Sequence, residues 1–182
     1  MGMTRPAAFR FALAAPALIF TTACQQDAGA APEYPAGEAG NVGQAMCLLG
    51  FTAVPLREVA TGHHLVDATL NGRTASFVLD TGANVTAIDQ ERAEQFGLSA
   101  QPGGLRGMIA GGGTNATQVP IEGLSIGPVE IRQRSVVLAG LGQLLTALGQ
   151  AAGEEVAGII GQDVLAEHHA IIDVAQPMLY LS

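Results

Sequence analysis

From residue 48 onward, apolar and polar positions alternate in short runs separated by glycine, proline, asparagine and aspartate, the pattern of strands joined by tight turns. Leu48 to Leu56 predicts a first strand. His64 to Leu70 places Val66, Ala68 and Leu70 on one face, and Arg73 to Leu79 returns after Asn71-Gly72. Asn-Gly between two such runs predicts a type I′ hairpin, because both central residues of that turn need positive φ. Leu105 to Ala110 and Thr114 to Pro120 predict the limbs of a second hairpin, tipped by Gly111-Gly112-Gly113. Ile121 to Ile126 and Val129 to Leu138 are further alternating segments joined by Gly127-Pro128, a favoured turn pair. Val156 to Ile160, Ala170 to Val174 and Met178 to Leu181 complete the set, the last two split by Gln176-Pro177.

Helical signals are few. Asp89 is placed to N-cap a short helix, Gln90 to Phe96, closed by Gly97 with Ala93 and Phe96 facing inward. Leu141, Leu144, Leu145 and Leu148 recur at i, i+3, i+4 and i+7, a helical stripe read as a cap on the domain's own core. Gln162 to Ala166 predicts one more short helix. The pattern is that of an all-β domain, residues 48–182, with one or two short helices and no internal repeat.

The pattern fails before residue 48, and its failure is informative. Arg5 and Arg10 precede a ten-residue apolar run, Phe11 to Phe20, and small residues follow, so residues 1–23 read as an export signal to the bacterial periplasm. Ten apolar residues are too few to span a bilayer. Cys24 follows Thr21-Thr22-Ala23 as in a bacterial lipobox, except that Thr21 stands where such signals usually carry leucine. Lipidation at Cys24, anchoring the chain to a membrane, and ordinary cleavage near Ala23 both stay open. Residues 24–47 lack periodicity and large apolar side chains and read as a flexible tether. Of the chain's two cysteines, Cys24 is the anchor candidate and Cys47 a spare thiol; a bridge between them would staple little.

Charge removes several classes of partner. All eight basic residues are arginine, and without Arg5 and Arg10 six remain against 16 acidic residues, a balance of about −10. That opposes nucleic acid and anionic membrane surfaces. His63-His64 and His168-His169 suggest a metal site, but adjacent side chains on a strand point to opposite faces, so no metal and no cofactor is expected. Gly111-Gly112-Gly113-Thr114 lacks the lysine of a phosphate loop. Asn84-Val85-Thr86 and Asn115-Ala116-Thr117 match glycosylation sequons, read as chance beside a bacterial-type signal.

One stretch carries the chemistry. Ser76-Phe77-Val78-Leu79 runs straight into Asp80-Thr81-Gly82-Ala83, an acid placed where an apolar strand leaves the core. A charge there is costly unless hydrogen bonds or chemistry compensate, although an acid after a strand is often only a turn residue. Asp80-Thr81-Gly82-Ala83 resembles the active-site loop of the retropepsin-like aspartic proteases. Downstream, Ile159-Ile160-Gly161, followed by Gln162-Asp163-Val164-Leu165, resembles that family's apolar-apolar-glycine strand and short helix. Between them Met108, Ile109, Ala110, Gly111 and Gly112 stand where the family carries its flap, over a peptide-binding cleft.

The resemblance implies a closed single-lobe barrel and an aspartic endopeptidase in which paired Asp80 carboxylates activate a water. Asp80 occurs in the chain's one Asp-Thr-Gly; Asp163 and Asp173 lack the following hydroxyl and glycine. A single lobe must therefore borrow its second carboxylate from another copy, so a homodimer with the site on its axis is expected. By the same resemblance Thr81 bonds across that axis, Gly82 admits the close approach, Ala83 shapes a subsite, and an N-terminal strand clasps the partner. The alternatives are a monomeric, non-enzymatic peptide-binding module on this fold, or a protease assembled only with a partner protein through the Leu141 to Leu148 stripe.

Overall fold

The structure, a computed structural model, describes residues 42–99, 106–107 and 116–182. Residues 1–23, read as an export signal, and Cys24 lie outside the described residues. Helix α1, Val42–Leu48, opens the described chain, and strands β1, Thr52–Pro55, and β2, Arg57–Glu58, follow. Then come β3, His64–Leu70, β4, Arg73–Leu79, β5, Ala87–Asp89, and a 3₁₀ helix, Gln90–Phe96. Strands β6, Arg106–Gly107, β7, Ala116–Pro120, β8, Leu124–Ile126, β9, Val129–Ile131, and β10, Ser135–Ala139, lead to helix α2, Gly142–Ala152. The chain closes through β11, Val156–Ile160, helix α3, Gln162–Glu167, β12, Ile171–Asp173, and β13, Met178–Leu181.

The strands form two sheets, so the all-β reading holds. One runs β6-β7-β10-β5-β11-β4-β3-β8-β9, with β2 paired to β3; the other is β1-β13-β12. The expected closed barrel is corrected: among the described residues β6 and β9, the ends of the longer path, do not pair with each other. These end strands are two and three residues long, which leaves few backbone groups with which to close a ring. The N-terminal strand pairs with β13 of its own chain, Thr52 opposite Leu181.

The Asn71-Gly72 hairpin forms as read, with φ of 48° and 77° and Leu70 opposite Arg73. Asn71 does more than turn. Its amide donates to the Phe96 carbonyl at 2.9 Å, and its Oδ1 accepts the Glu122 N–H at 2.8 Å, tying three segments together. The predicted strand Leu48 to Leu56 instead begins at Thr52, because α1 extends to Leu48 and Gly50 then takes a φ of 85° that breaks the extended run. The segment read as tether is therefore helical from Val42, and Cys47 within it is disulfide-bonded rather than a spare thiol.

Two apolar clusters lie on opposite faces of the long sheet's centre. The larger gathers Phe77, Ile88, Phe96, Leu138 and Ile160 with Leu179 and Leu181. The smaller joins Leu65, Val78 and Ile159 to Leu145 and Leu148 of α2. Alternation explains the division: Phe77 and Val78 are neighbours on β4 and feed different clusters. The leucine stripe thus caps the domain's own core through Leu145 and Leu148, with Leu141 packed against the cluster, while Leu144 stays 49% exposed. None of the described helices is long and apolar enough to cross a membrane.

Candidate active site

Strand β11 enters the sheet between β4 and β5, parallel to the first and antiparallel to the second. The chain between β4 and β5 must therefore loop out over the end of β11, and Asp80 to Thr86 form that loop. Parallel strands buried on both faces read as continuous apolar runs, and all five residues of β11 are buried. The central position allows almost no side-chain volume at one point: a Cβ on Gly158 would stand 2.3 Å from the Ala87 carbonyl oxygen.

Asp80 leaves β4 still attached to the sheet, donating its N–H to the Ile160 carbonyl at 3.0 Å. Its Oδ1 accepts the Gly82 N–H at 2.8 Å, and its carbonyl accepts the Ala83 N–H at 3.2 Å. The carboxyl is thus oriented by its own loop while Asp80 is half-buried and Thr81 and Gly82 are exposed. Ile159-Ile160-Gly161, distant in sequence, lies directly beside it, with Ile160 in register with Leu79.

The two motifs are joined by a network that sequence reading missed. Asp163 accepts the Thr86 N–H at Oδ2, 2.9 Å, and the Thr86 hydroxyl at Oδ1, 2.8 Å. The Thr86 oxygen in turn accepts the Gly161 N–H at 3.1 Å. Gln162 donates its backbone N–H to Ala83 and its side-chain amide to the Thr81 carbonyl, 2.8 and 2.9 Å. A Cβ on Gly161 would meet Val85 backbone atoms at 2.6 Å, so only glycine lets α3 begin this close to the loop. The one available signal was a buried threonine within an apolar run and an acid in a helix's first turn; nothing in the sequence pairs them.

Other expected residues are placed as follows. The base of the glycine-tipped hairpin is formed, Arg106 opposite Thr117 and Gly107 opposite Ala116. Met108, Ile109, Ala110, Gly111 and Gly112 lie outside the described residues. Asp89 stands at the N-cap position of the 3₁₀ helix as read, but its side chain makes no cap hydrogen bond. It ends β5 with its side chain buried, and Oδ1 accepts the Leu141 N–H at 3.2 Å, giving α2's approach a partner instead. His168 and His169 follow α3 in a turn rather than on a strand. His168 is buried, its Nε2 accepting the Arg132 N–H at 3.2 Å and its Nδ1 facing the Ser182 carbonyl at 3.1 Å. Among the described residues no group of three or more His, Cys, Asp or Glu side chains is placed to hold a metal.

Charge is paired away from the loop. Arg57 on β2 meets Asp67 of β3 at 2.8 Å and Glu154 at 3.0 Å, with the Ser76 hydroxyl between them. The Arg57 hydrogen bond holds the Asp67 carboxyl below the usual aspartate range and Asp67 raises Arg57. An aspartate pKa lowered by folding contributes stability above its ordinary value of 3.8, lost as pH falls through the lowered one. Both side chains are over a third exposed, so Asp67→Asn is expected to cost under about 1 kcal/mol at neutral pH. Urea midpoints between pH 2 and 5 should fall less steeply in the variant; parallel curves would show that the pair carries none of the acid sensitivity.

A sequence model described as Aspartyl protease matches residues 66–164, more than half of the chain. An uncharacterized protein from the cobV 5′ region of a Sinorhizobium species is 33% identical over 99 residues, 52% of this chain and 42% of that relative. The chain thus matches less than half the length of that curated relative. Among solved structures, a retropepsin-like aspartic protease from Rickettsia conorii superposes with a TM-score of 0.52 at 20% identity, covering 72% of this chain and 90% of the other.

Proposed function

We propose the following function for this chain, which belongs to an aspartyl protease family and has a retropepsin-like fold: it is an endopeptidase whose catalyst is a pair of Asp80 carboxylates, one from each of two identical chains. The observation that carries the reading is the Asp80 loop itself. A carboxyl held by the Gly82 N–H, half-open to solvent, sits on a loop pinned to α3 by Thr86, Gly161 and Asp163. Such rigidity is what positioning a catalytic group requires.

Two carboxyl groups about 3 Å apart cannot both ionise; they share a proton, so one can take a proton from water while the other donates to the scissile carbonyl. No covalent intermediate is needed. Thr81 is exposed beside the carboxyl and free to face the second chain's loop, and Gly82 lets the two loops approach. An extended peptide or protein segment is the substrate, bound by main-chain hydrogen bonds.

The test is cleavage of an unstructured protein by the full-length chain from pH 4 to 8 over a range of enzyme concentrations. Activity per chain is expected to rise with concentration until dimers dominate. Activity strictly proportional to concentration in a monomeric chain would sink the paired site, and a folded monomer without cleavage would favour an interaction module. Export remains part of the reading: Arg5, Arg10 and the Phe11 to Phe20 run form its signal, and a disulfide at Cys47 suits an oxidising compartment. Fractionation of cells would place the chain; in a chain of two cysteines a disulfide at Cys47 competes with lipidation of Cys24, so a chain found as a soluble species with no free thiol would favour the bridge over an anchor.

A further inference from the structure

We infer that α1 and the turn after it form a membrane-contact site, with Leu48 and Leu49 entering the outer layer of an electrically neutral lipid surface; this stands independently of the paired-carboxylate reading. Leu48 and Leu49 are 74% and 69% exposed, more than any other large apolar residue among those described. The backbone holds them there. The Leu49 N–H still makes the helical bond to Ala45 at 3.1 Å, and the Gly50 and Phe51 N–H groups donate to Cys47 and Met46, both at 2.9 Å. Gly50, with φ of 85°, then turns the chain towards β1. Val42, also exposed, precedes Leu49 by seven residues, two helical turns back on the same side. Adjacent large apolar residues held open on an ordered turn mark an interaction site.

The surrounding chemistry favours lipid as the occupant. Between Glu38 and Arg57 the chain carries no charged side chain and no histidine, although the whole is strongly acidic. Charged groups are what an apolar lipid layer excludes, and α1 has none at either end. A protein partner suits the patch less well, because the side chains that dominate protein interfaces are Trp, Tyr and Arg, whereas those exposed here are Val42, Leu48 and Leu49. Lipid requires apolar area rather than a matching shape. At seven residues α1 is far too short to span a bilayer, so it rests on the surface.

Position along the chain agrees. Residues 24–41, read as a tether, end where α1 begins, and such a length of flexible chain spans on average roughly 25 Å. A chain lipidated at Cys24 thus keeps the leucines within reach of the bilayer, and they fix which face of the domain meets it. If Cys24 bonds Cys47 instead, the leucines act alone and the contact is reversible. The acidic balance repels anionic lipid in either case, so the preference is for zwitterionic surfaces.

The test uses the absence of tryptophan from the chain. Leu49→Trp places a single fluorophore at the site, and Leu144→Trp, on the exposed side of α2, is the control. Both positions are open to solvent, so thermal melts should be unchanged. Phosphatidylcholine vesicles should move the Leu49→Trp emission to shorter wavelength and let brominated lipid quench it, while leaving Leu144→Trp as it was. Adding Leu48→Asp to the Leu49→Trp chain should weaken the apparent vesicle affinity roughly tenfold or more. Replacing part of the lipid with phosphatidylglycerol should weaken the response, and salt should restore it. Emission that vesicles leave unmoved would overturn the site. So would emission already at short wavelength without lipid, the sign that a second copy, another protein or the chain's own residues 1–41 cover the leucines. A stronger response to phosphatidylglycerol than to phosphatidylcholine would overturn the preference for a neutral surface.

Discussion

Asp80→Asn should abolish peptide cleavage while leaving the fold in place. The amide can still accept the Gly82 N–H through its Oδ1, so the loop keeps the bond that orients the side chain. Asp80 is only half-buried, and the stability change is expected to stay within about 1 kcal/mol. What is lost is a group able to take and return a proton. General acid–base catalysis contributes roughly 10²–10⁴-fold, and in the proposed two-chain site one substitution would alter both halves, so the loss should reach the upper end or exceed it. The wild type should show a bell-shaped pH dependence whose two apparent pKa values belong to the pair rather than to either residue. Purified wild type and variant assayed side by side decide the matter. Undiminished cleavage by the variant would remove Asp80 from the mechanism.

The second large effect is expected in the core behind the loop. Gly158→Ala would drive a methyl group to 2.3 Å from the Ala87 carbonyl and 3.2 Å from the Ile88 Cα, backbone atoms of a strand that cannot rotate away. Gly161→Ala would meet Val85 and Ala83 backbone atoms at 2.6 and 2.9 Å. Overpacking of this kind costs about 1–3 kcal/mol, more where backbone must move, against a total stability of about 5–15 kcal/mol. Each variant should melt roughly 10 °C lower, and under the proposed function Gly161→Ala should also lose activity because the Thr86 bond to the Gly161 N–H holds the Asp80 loop. Gly123→Ala, with nothing within 4 Å of its added carbon, is the matched control and should change little. Equal melts for all three would show that β11 is not packed as described.

The residues that proved legible were those whose constraint is local. Asn71-Gly72 requires positive φ whatever surrounds it, and the hairpin formed at that turn. An acid, a hydroxyl and a glycine after an apolar run are distinctive enough to mark a loop at Asp80, and Ile159-Ile160-Gly161 marked its companion. The leucine stripe of α2 declared a buried face by period alone, and Leu144 turned outward because the stripe is one residue wider than the cluster beneath it. Where reading failed, a distant partner had overridden a local preference. Asp89 is a good cap by type, yet its carboxylate turned to the Leu141 N–H. Leu48 and Leu49 look like strand residues, yet they close a helix.

By itself the amino-acid sequence determined the strands, their turns and the acid at the end of β4, because periodicity, turn chemistry and composition act between neighbours. Only the tertiary structure decided that β11 lies between β4 and β5, that Thr86 and Asp163 lock the loop, and that among the described residues the long sheet stays open. Those outcomes depend on which backbone groups and which volumes meet after the chain has folded. Contacts between residues so far apart along the chain leave no mark in the local pattern.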